Sequence, residues 1–440
     1  MKKVLLLGSG MVAGPVIRYL LDHQYFVTIA TPLVDRAYHL AGDKSNFNVV
    51  DWTIEKEELL SKLVKEHDLV ISLIPYIYHV KVARQCILYR KNMLTTSYVS
   101  PEMKSLHDEA KNAGIIILNE CGLDPGIDHM SAMKIIDHVH QKKGTVDVFY
   151  SYCGALPAPE SADNPFRYRF SWSPRGVLLA GKNSAQYVRN GYMVNISPEN
   201  LFKDVRTIDF PEFGQMEVYP NRDSLSYIDL YGIHEVCSLM RGTIRYPGWC
   251  EIMDAFKKLN LFSDVEIDSS ELTYRQFIAR QADLTTDENL ENNLCTFLGL
   301  KNNSLPLEAL KWVGFLDNEP INKEKTTPFD ITADLMIPKM LLEDHERDMV
   351  QMLHYFEVSY PDGSKEVINS SMLVYGEPGK DSAVAKTVAL PAAVASCLIL
   401  ENKISLKGVH IPIYPEIYLP VLDKLAEMGI CLQEESKTLP

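Results

Sequence analysis

Near its start the chain reads Val4-Leu5-Leu6-Leu7-Gly8-Ser9-Gly10-Met11-Val12-Ala13-Gly14. An apolar run of strand length ends at Gly8, and a helix-like stretch, Pro15–Leu21, follows at once. Gly8 permits the tight turn between strand and helix, and Gly10 lets the backbone approach a pyrophosphate closely. The helix N-terminus then offers free N–H groups and the positive end of its dipole to phosphates. The stretch therefore predicts a dinucleotide site, although a turn with a purely steric role has the same pattern.

The first third of the chain alternates between strand-like and helix-like segments. Short apolar runs typical of buried strands are Val4–Leu7, Phe26–Ala30, Asn48–Val50, Leu69–Ile74, Met93–Thr96 and Ile115–Leu118. Helix-length segments lie between most of them, among others Glu55–Val64, Val80–Tyr89 and Pro101–Ala113. This rhythm predicts a doubly wound parallel sheet with helices on both faces, in which ligands lie beyond the carboxyl ends of the strands.

After Asp124 the rhythm changes. Thr145–Tyr152, Met349–Tyr360 and Glu366–Tyr375 look like antiparallel strands, and a Pro361-Asp362-Gly363 turn joins the last two. We therefore expect an α/β protein of three parts. These are a dinucleotide-binding (Rossmann) domain of residues 1–123 plus about 380–440, a substrate-binding and dimerisation α/β domain with a mixed or antiparallel sheet of residues 124–250 plus about 346–379, and a smaller helical domain of residues 251–345.

The composition narrows the classes of protein that fit. The chain has 440 residues, enough for two or three domains, and 46% of them are hydrophobic, which supports well-filled cores. A formal net charge of −14 disfavours a general nucleic-acid or membrane-surface binder. An anionic substrate would therefore need arginines close to its own binding site.

The cysteines and the apolar stretches indicate a cytoplasmic protein without a metal centre. Eight cysteines are scattered without a CxxC pair, which is typical of reduced thiols, and no HExxH motif occurs. The apolar start of the chain stops at Gly8, so it predicts a strand and not a signal peptide. The longest uncharged stretch, Thr387–Leu400, contains Pro391 and is too short to span a bilayer.

Polar and aromatic residues are concentrated in loops near the predicted strand ends, where function commonly lies. The first five such stretches are Ser72-Leu73-Ile74-Pro75-Tyr76, Thr95-Thr96-Ser97-Tyr98-Val99-Ser100-Pro101, Glu120-Cys121-Gly122-Leu123-Asp124-Pro125-Gly126-Ile127-Asp128-His129, Ser151-Tyr152-Cys153-Gly154-Ala155-Leu156-Pro157 and Phe170-Ser171-Trp172-Ser173-Pro174-Arg175-Gly176. Two later stretches are rich in arginine, Tyr219-Pro220-Asn221-Arg222-Asp223-Ser224 and Arg241-Gly242-Thr243-Ile244-Arg245-Tyr246.

Together with Ala385-Lys386-Thr387-Val388, these motifs resemble the glutamate-forming saccharopine dehydrogenases, also called saccharopine reductases. The resemblance runs through essentially the whole chain, and several motifs in the same order are more specific than one glycine fingerprint. It implies an oxidoreductase of lysine metabolism that acts on a C–N bond with NAD(P) and without metal or flavin. The reversible reaction would convert saccharopine, NAD(P)+ and water into L-glutamate, 2-aminoadipate 6-semialdehyde and NAD(P)H.

The resemblance also implies roles for individual positions. Contacts to the cofactor are implied for Gly8, Ser9, Gly10, Met11, Val12, Ile74, Thr96, Ser97, Leu123, Asp124, Pro125 and Ser173. Contacts to saccharopine are implied for Ser97, Tyr98, Asp124, Arg222, Thr243, Ile244 and Arg245, and arginine suits its three carboxylates because the guanidinium is a planar fork. The candidates for acting on the reacting nitrogen and carbon are Tyr98, Asp124 and Cys153, and which of them exchanges a proton stays open.

Each catalytic candidate also has a structural explanation. Tyr98 could pack under the following helix, and Asp124 precedes Pro125-Gly126 and could cap a helix. Cys153 could be a buried core thiol, and we expect it to line the site rather than to act as a nucleophile.

The arginines have structural explanations of the same kind. Arg222 could pair with Asp223 inside its own turn, and Arg245 could face solvent from an alternating strand. We favour carboxylate binding for both, because an acidic protein must hold a tricarboxylate with local cations. Positions given less weight are Arg241 and Arg175, with Asp128 and His129 expected to cap or pack and Trp172 expected to pack at the domain junction.

The choice between NAD and NADP is not fixed by the second predicted strand. Rossmann proteins that use NAD carry an acid at its end, and those that use NADP carry an arginine nearby. Here Thr28-Ile29-Ala30-Thr31-Pro32 gives neither, while Asp35 and Arg36 come later than usual. Because no acid is present to repel a phosphate, we favour NADP.

Two other functions are compatible with parts of the sequence. A carboxynorspermidine- or homospermidine-type dehydrogenase acts on substrates richer in amines, which call for acids where this chain has Arg222 and Arg245. A non-catalytic nucleotide-sensing regulator would be indicated by loss of Tyr98, Asp124 or the arginines, yet all are present. We further expect a small-molecule substrate, no nucleic-acid or membrane partner, and a two-fold homodimer through the antiparallel sheet.

Overall fold

The computed structural model describes residues 1–211 and 213–439. Its strands are β1 (Lys3–Leu7), β2 (Phe26–Thr31), β3 (Phe47–Asp51), β4 (Leu69–Ser72), β5 (Asn92–Thr95), β6 (Ile116–Leu118), β7 (Thr145–Pro157), β8 (Ala185–Arg189), β9 (Tyr192–Ile196), β10 (Arg206–Phe210), β11 (Gly214–Pro220), β12 (Ser238–Arg245), β13 (Ile267–Asp268), β14 (Lys325–Thr326), β15 (Asp348–Ser359), β16 (Lys365–Tyr375), β17 (Gly408–His410) and β18 (Gln433–Leu439).

Sixteen α-helices lie between these strands along the described residues. They are α1 (Ala13–Asp22), α2 (Val34–Ala41), α3 (Glu57–Glu66), α4 (His79–Tyr89), α5 (Pro101–Ser105), α6 (His107–Ala113), α7 (Ile127–Gln141), α8 (Pro174–Ala180), α9 (Ser226–Tyr231), α10 (Trp249–Lys258), α11 (Tyr274–Gln281), α12 (Leu290–Leu298), α13 (Leu305–Val313), α14 (Pro328–Met340), α15 (Ala383–Leu400) and α16 (Pro415–Glu427). Short 3-10 helices are Tyr76–Tyr78, Pro159–Ser161 and Pro198–Asn200.

The first sheet has seven parallel strands in the order β17-β6-β5-β4-β1-β2-β3. The strand order reverses between β1 and β4, and α/β sheets of this kind bind ligands at that point, beyond the carboxyl ends of the strands. The predicted doubly wound parallel sheet is thus confirmed. The sequence reading missed β17, because a strand of three residues leaves too short a pattern to separate it from a loop.

The second sheet is mixed. Its main order is β10-β11-β12-β7-β15-β16-β18, with β8 on β12 and β9 on β8, and the β12–β7 pair is parallel while the other pairs are antiparallel. The predicted mixed sheet is confirmed. The last strand, residues 433–439, pairs with β16 in this sheet, so its assignment to the dinucleotide-binding domain was wrong. An exposed, mostly charged and polar strand at a sheet edge has no apolar pattern by which the sequence could have revealed it.

Between β12 and β15 the chain is mainly helical, from α10 to α14. These helices share an apolar core with one face of the second sheet, which includes Phe256, Phe277 and Phe315. A two-stranded ribbon of β13 and β14 interrupts them.

One long apolar helix, α15, lies in a core shared by both sheets. It contacts α1, β4 and β5 on one side and β15 on the other. It is long and apolar enough to cross a membrane, but 83% of it is buried inside the protein, which is typical of a core helix.

A buried histidine joins the second sheet to α7. His354 on β15 is fully buried, and its Nε2 lies 2.7 Å from the Ser131 hydroxyl. That hydroxyl donates to the Ile127 carbonyl at 2.6 Å, so the hydrogen between the two side chains belongs to His354 Nε2. A second proton would go to Nδ1, which has no hydrogen-bond partner among the described residues. Burial lowers the pKa of His354 to about 3, and the ring is therefore neutral at physiological pH.

We expect His354 to make the fold less stable in acid. An unfolded histidine titrates at about 6.5, so between that pH and about 3 the unfolded state binds a proton that the folded state does not. The free energy of unfolding should therefore fall as the pH falls through this range. Urea unfolding at pH 7.5 and pH 5 should show a smaller difference for His354→Gln than for the wild type. His234→Gln, which alters a largely exposed ring, should behave as the wild type. An undiminished pH difference in His354→Gln would contradict the assignment.

Candidate active site

The glycine-rich turn lies where the strand order of the first sheet reverses. Gly8 has φ +99°, and a Cβ there would lie 3.1 Å from the Leu73 carbonyl oxygen, so both backbone conformation and space demand glycine. A Cβ at Gly10 would meet nothing within 4 Å, because this part of the turn faces open space. Met11 is largely exposed and Val12 partly buried, directly before α1 begins. The turn and the helix end together form a surface suited to a pyrophosphate.

The side chain of Ser9 points into the protein. It is buried, and its hydroxyl lies 2.9 Å from that of Thr31 at the end of β2. The Ser9 carbonyl accepts a 2.9 Å hydrogen bond from Nε of Arg36, an exposed residue of α2. Among the described residues no carboxylate pairs with Arg36. The structure thus brings Arg36, which the sequence reading could not place, against the glycine turn.

The loops after β5 and β6 lie side by side beyond the sheet. The backbone N–H groups of Glu120 and Cys121 donate to the carbonyls of Ser97 and Thr95, at 3.1 and 3.2 Å. Several residues predicted to contact the cofactor lie in these two loops, and each is partly or fully buried: Thr96, Ser97, Leu123 and Pro125. Ile74, which follows β4, is also partly buried.

Tyr98, Asp124 and Arg241 form the centre of the site. The Tyr98 hydroxyl donates to Asp124 Oδ1 at 3.2 Å and accepts from the Arg241 guanidinium at 3.0 Å. The same guanidinium contacts the carboxylate of Asp124 and, at 3.4 Å, that of Asp128. Arg241 lies on β12 and is 4% exposed, whereas Asp124 keeps 17% of its side chain exposed. The cluster therefore joins both sheets and opens towards solvent at Asp124.

Burial and charge set the protonation of these groups. Burial raises the pKa of Asp124, Arg241 opposes this, and the nearby Asp128 adds to it, with a net upward shift. Burial also raises the pKa of Tyr98, so its hydroxyl keeps its proton at neutral pH. A carboxyl whose pKa moves upward exchanges protons closer to neutral pH, which suits a general base.

Cys153 lies beside this cluster as a thiol. It pairs with Thr243 in the β7–β12 register, so it shares the sheet face of Arg241, Thr243 and Arg245. Burial raises the pKa of its thiol well above the usual range. A protonated thiol is a weak nucleophile, in keeping with a lining role.

Arg245 is a buried cation that pairs with no carboxylate in the part of the chain that the structure describes. It is 4% exposed, and its guanidinium carbon lies 4.9 Å from the Tyr168 ring centre and 5.3 Å from that of Trp249. It donates to the Ile244 carbonyl, its Nε has no partner, and among the described residues no carboxylate lies within ion-pair distance. The expectation that it could face solvent is therefore wrong, and its unpaired charge suits an anionic ligand.

Ile244 does not present its side chain to this face. Successive residues of a strand point to opposite sides, and Ile244 is buried against Gly154 and Val218 on the other one. The predicted contact of Ile244 to substrate would therefore be made by its backbone and not by its side chain.

Arg222 lies at the exposed rim of the centre. Its guanidinium carbon is 5.5 Å from the centre of the Tyr98 ring. Asp223 accepts from the N–H of Leu225 at 2.8 Å, and among the described residues Arg222 has no carboxylate partner. The local Arg222–Asp223 pair is thus not formed.

Ser173 lies apart from this network. It is exposed directly before α8, and no hydrogen bond links it to the Tyr98–Asp124–Arg241 cluster within residues 1–211 and 213–439. Trp172 packs against both large cores, as expected for the junction.

Glu120 and His129, which were assigned no role in the site from the sequence, hold the loops after β5 and β6 together. Glu120 accepts from the Val99 N–H at 2.9 Å, and its other oxygen lies 2.7 Å from His129 Nε2. Burial alone would lower the pKa of His129, but the carboxylates of Asp128 and Glu120 raise it overall.

Arg241 was given little weight from the sequence. Its alternation with Thr243 and Arg245 along one strand was the signal that could have identified it. Among residues 1–211 and 213–439, no group of three or more His, Cys, Asp or Glu side chains is arranged to hold a metal ion.

The sequence matches two described domain families. Residues 4–118 match the saccharopine dehydrogenase NADP binding domain, and residues 122–430 match the saccharopine dehydrogenase C-terminal domain. The resemblance inferred from the motifs is thereby confirmed.

Relatives match along the whole chain. The mitochondrial alpha-aminoadipic semialdehyde synthase of Mus musculus is 39% identical over 446 residues, which cover 99% of this chain and 48% of the relative. The chain thus spans about half the length of that relative. The saccharopine dehydrogenase (NADP(+), L-glutamate-forming) of Saccharomyces cerevisiae is 37% identical, with 99% of both chains covered. A solved structure, apo saccharopine dehydrogenase (L-Glu forming) from Saccharomyces cerevisiae, has a TM-score of 0.91 at 35% identity and covers 100% of both chains.

We expect Arg241→Met to destabilise the protein by about 3–5 kcal/mol, since it leaves two buried carboxylates without their cation. The destabilisation should shrink in acid, where Asp124, whose pKa burial raises, takes up a proton. Urea unfolding at pH 7.5 and pH 5 measures both effects. Arg222→Met, at an exposed position without an ion pair among the described residues, should cost less than about 1 kcal/mol. Equal stability of both variants would contradict the buried cluster.

Proposed function

The chain belongs to the saccharopine dehydrogenase family, and we propose that it oxidises saccharopine with NADP+ and water to L-glutamate and 2-aminoadipate 6-semialdehyde, reversibly. Relatives that match over nearly their full length carry the name of this activity. The observation that carries the proposal is the unpaired buried guanidinium of Arg245, on the same strand face as the Tyr98–Asp124–Arg241 cluster. It gives an otherwise acidic protein a built site for a carboxylate beside groups that can move a proton.

Saccharopine carries one secondary amine and three carboxylates. Arg245 would hold one carboxylate through a charge-assisted pair in a water-poor environment, with the Thr243 hydroxyl beside it on the strand. Arg222, exposed at the rim over Tyr98, would hold a second. Substrates of the carboxynorspermidine or homospermidine type have fewer carboxylates and more amines, and they fit these cations less well. A nucleotide sensor without catalysis would have no need for an unpaired buried arginine.

The proton that leaves the substrate amine is assigned to Asp124. A nicotinamide cofactor held at the glycine turn would supply the acceptor for the hydride that leaves the carbon next to the amine on the lysine side of saccharopine. Asp124, with a raised pKa and partial exposure, would take the proton that the amine gives up as the C–N double bond forms. Water then adds to that carbon, and the resulting carbinolamine separates into the amine of glutamate and the aldehyde. Tyr98 and Arg241 hold Asp124 in place, and the Cys153 thiol would line the site.

The cofactor residues fit a dinucleotide with a 2′-phosphate. The glycine turn and the start of α1 suit the pyrophosphate. The ribose lies near the end of β2 in such folds. That strand ends at Thr31 without an acid, while the Arg36 guanidinium is held against the Ser9 carbonyl. An arginine in this place favours NADP over NAD.

The direct test follows the absorbance of reduced cofactor with saccharopine and either NADP+ or NAD+. Arg245→Met should raise the KM for saccharopine about 10–100-fold, because a charged hydrogen bond to a carboxylate is lost. The dissociation constant for NADPH should stay within about twofold of the wild type, since Arg245 lies on β12 of the second sheet, among Tyr168, Tyr219 and Trp249. Arg175→Met is the control, because Arg175 is exposed and paired with Asp330. No turnover with either cofactor would refute the function, and equal loss of both ligands would make Arg245 structural.

The cofactor preference has its own test. Arg36→Gln should lower kcat/KM for NADP+ by about tenfold or more and leave that for NAD+ nearly unchanged, since only NADP+ carries the 2′-phosphate. Arg36→Lys, which keeps the charge, should fall between. An equal decrease with both cofactors would mean that Arg36 only supports the loop.

A further inference from the structure

The imidazole of His79 lies within hydrogen-bond distance of three hydroxyl groups at the carboxyl ends of β4 and β5. His79, the first residue of α4, has its Nδ1 2.9 Å from the Ser72 hydroxyl. Its Nε2 lies 2.9 Å from the Ser97 hydroxyl and 3.0 Å from that of Thr95. Ser72 and Thr95 are fully buried and His79 is 3% exposed, whereas Ser97 reaches the surface of the site. The imidazole thus lies beneath Ser97, the one hydroxyl of the three that a ligand can reach.

His79 is neutral under physiological conditions. Hydroxyl groups are its hydrogen-bond partners, and among the described residues no acidic or basic group lies within ion-pair distance of its ring. Burial lowers its pKa to about 4. A neutral imidazole carries one N–H and one lone pair, so it must share these between three hydroxyls.

One tautomer leaves the Ser97 hydrogen free. With the ring hydrogen on Nε2, the fully buried Ser72 hydroxyl donates to Nδ1, its hydrogen-bond partner among the described residues. The Ser97 oxygen then accepts from Nε2 at 2.9 Å, and its own O–H is available to a ligand. With Nε2 bare, Ser97 and Thr95 would compete for one lone pair, and His79 would not direct the Ser97 hydrogen towards the site.

We propose that His79 is a positioning residue that fixes Ser97 as a hydrogen-bond donor to an oxygen acceptor of the bound ligands. The acceptor is a carbonyl or carboxylate oxygen, either the carboxamide of the nicotinamide or a carboxylate of the substrate. The assignment rests on the proposed function for its substrate but not for its cofactor. His79 itself touches neither ligand and exchanges no proton with them.

The test is a double-mutant cycle between His79→Phe, which keeps a ring but removes both nitrogens, and Ser97→Ala. His79→Phe should lower kcat/KM about tenfold in the wild-type background and have little effect in the Ser97→Ala background, because the two residues act as one unit. His79→Gln, whose amide can replace Nε2, should recover most of the loss. Additive losses, or full activity of His79→Phe, would overturn the proposal. If His79→Phe does not fold, the same cycle is run with His79→Ala, which also removes both ring nitrogens.

Two further measurements separate positioning from acid–base chemistry and identify the acceptor. The pH profile of kcat between pH 6 and pH 9 should keep its shape in His79→Gln, and loss of one limb would make His79 a proton-transfer group instead. A raised dissociation constant for NADPH in both His79→Phe and Ser97→Ala assigns the acceptor to the cofactor, and a raised KM for saccharopine alone assigns it to the substrate. If the wild type does not turn over saccharopine, the proposed function fails, and an unchanged NADPH affinity in both variants then overturns the role of His79 as well.

Discussion

The site depends on one buried guanidinium. Arg241 reaches from β12 in the second sheet to the Tyr98 hydroxyl and to the carboxylates of Asp124 and Asp128 beyond the first sheet. Two carboxylates this close would repel each other in a medium of low dielectric constant, and a shared cation allows both to remain. The same contact fixes how the loops after β5 and β6 meet the second sheet. The ion pairs that balance the charges of Asp124 and Asp128 are therefore the same contacts that hold the two sheets together at the site.

β12 presents two arginines with opposite properties. Arg241 has its carboxylates within the protein, whereas Arg245, four residues on and on the same face, has aromatic rings around it and no carboxylate at ion-pair distance among residues 1–211 and 213–439. Desolvating a charge without a partner is costly, so a fold that keeps Arg245 in this state gains from a ligand that supplies the anion. Arg241 joins the loops of the site to the second sheet, and Arg245 is the cation that we propose for a substrate carboxylate.

The sequence was sufficient to predict the features that depend on residues close together in the chain. The strand–helix rhythm, the glycine turn and the polar loops after β5 and β6 were all predicted, since each depends on residues close together in the chain. The difference between Arg241 and Arg245 was not predictable, because it depends on carboxylates more than a hundred positions away. Arg36 was missed for a related reason, since only the packing of α2 against the turn brings it to Ser9.

The path of the chain makes one late segment, residues 408–439, part of both sheets. The first sheet is completed by β17, at residues 408–410, and the second by β18, at residues 433–439. Neither sheet is encoded by a continuous segment, and α15 lies in the core that they share. Residues 1–118 supply six of the seven strands of the first sheet, and β17 adds the seventh at the edge beside β6. Loss of residues 408–439 would therefore expose a new edge strand in each sheet, β6 in the first and β16 in the second.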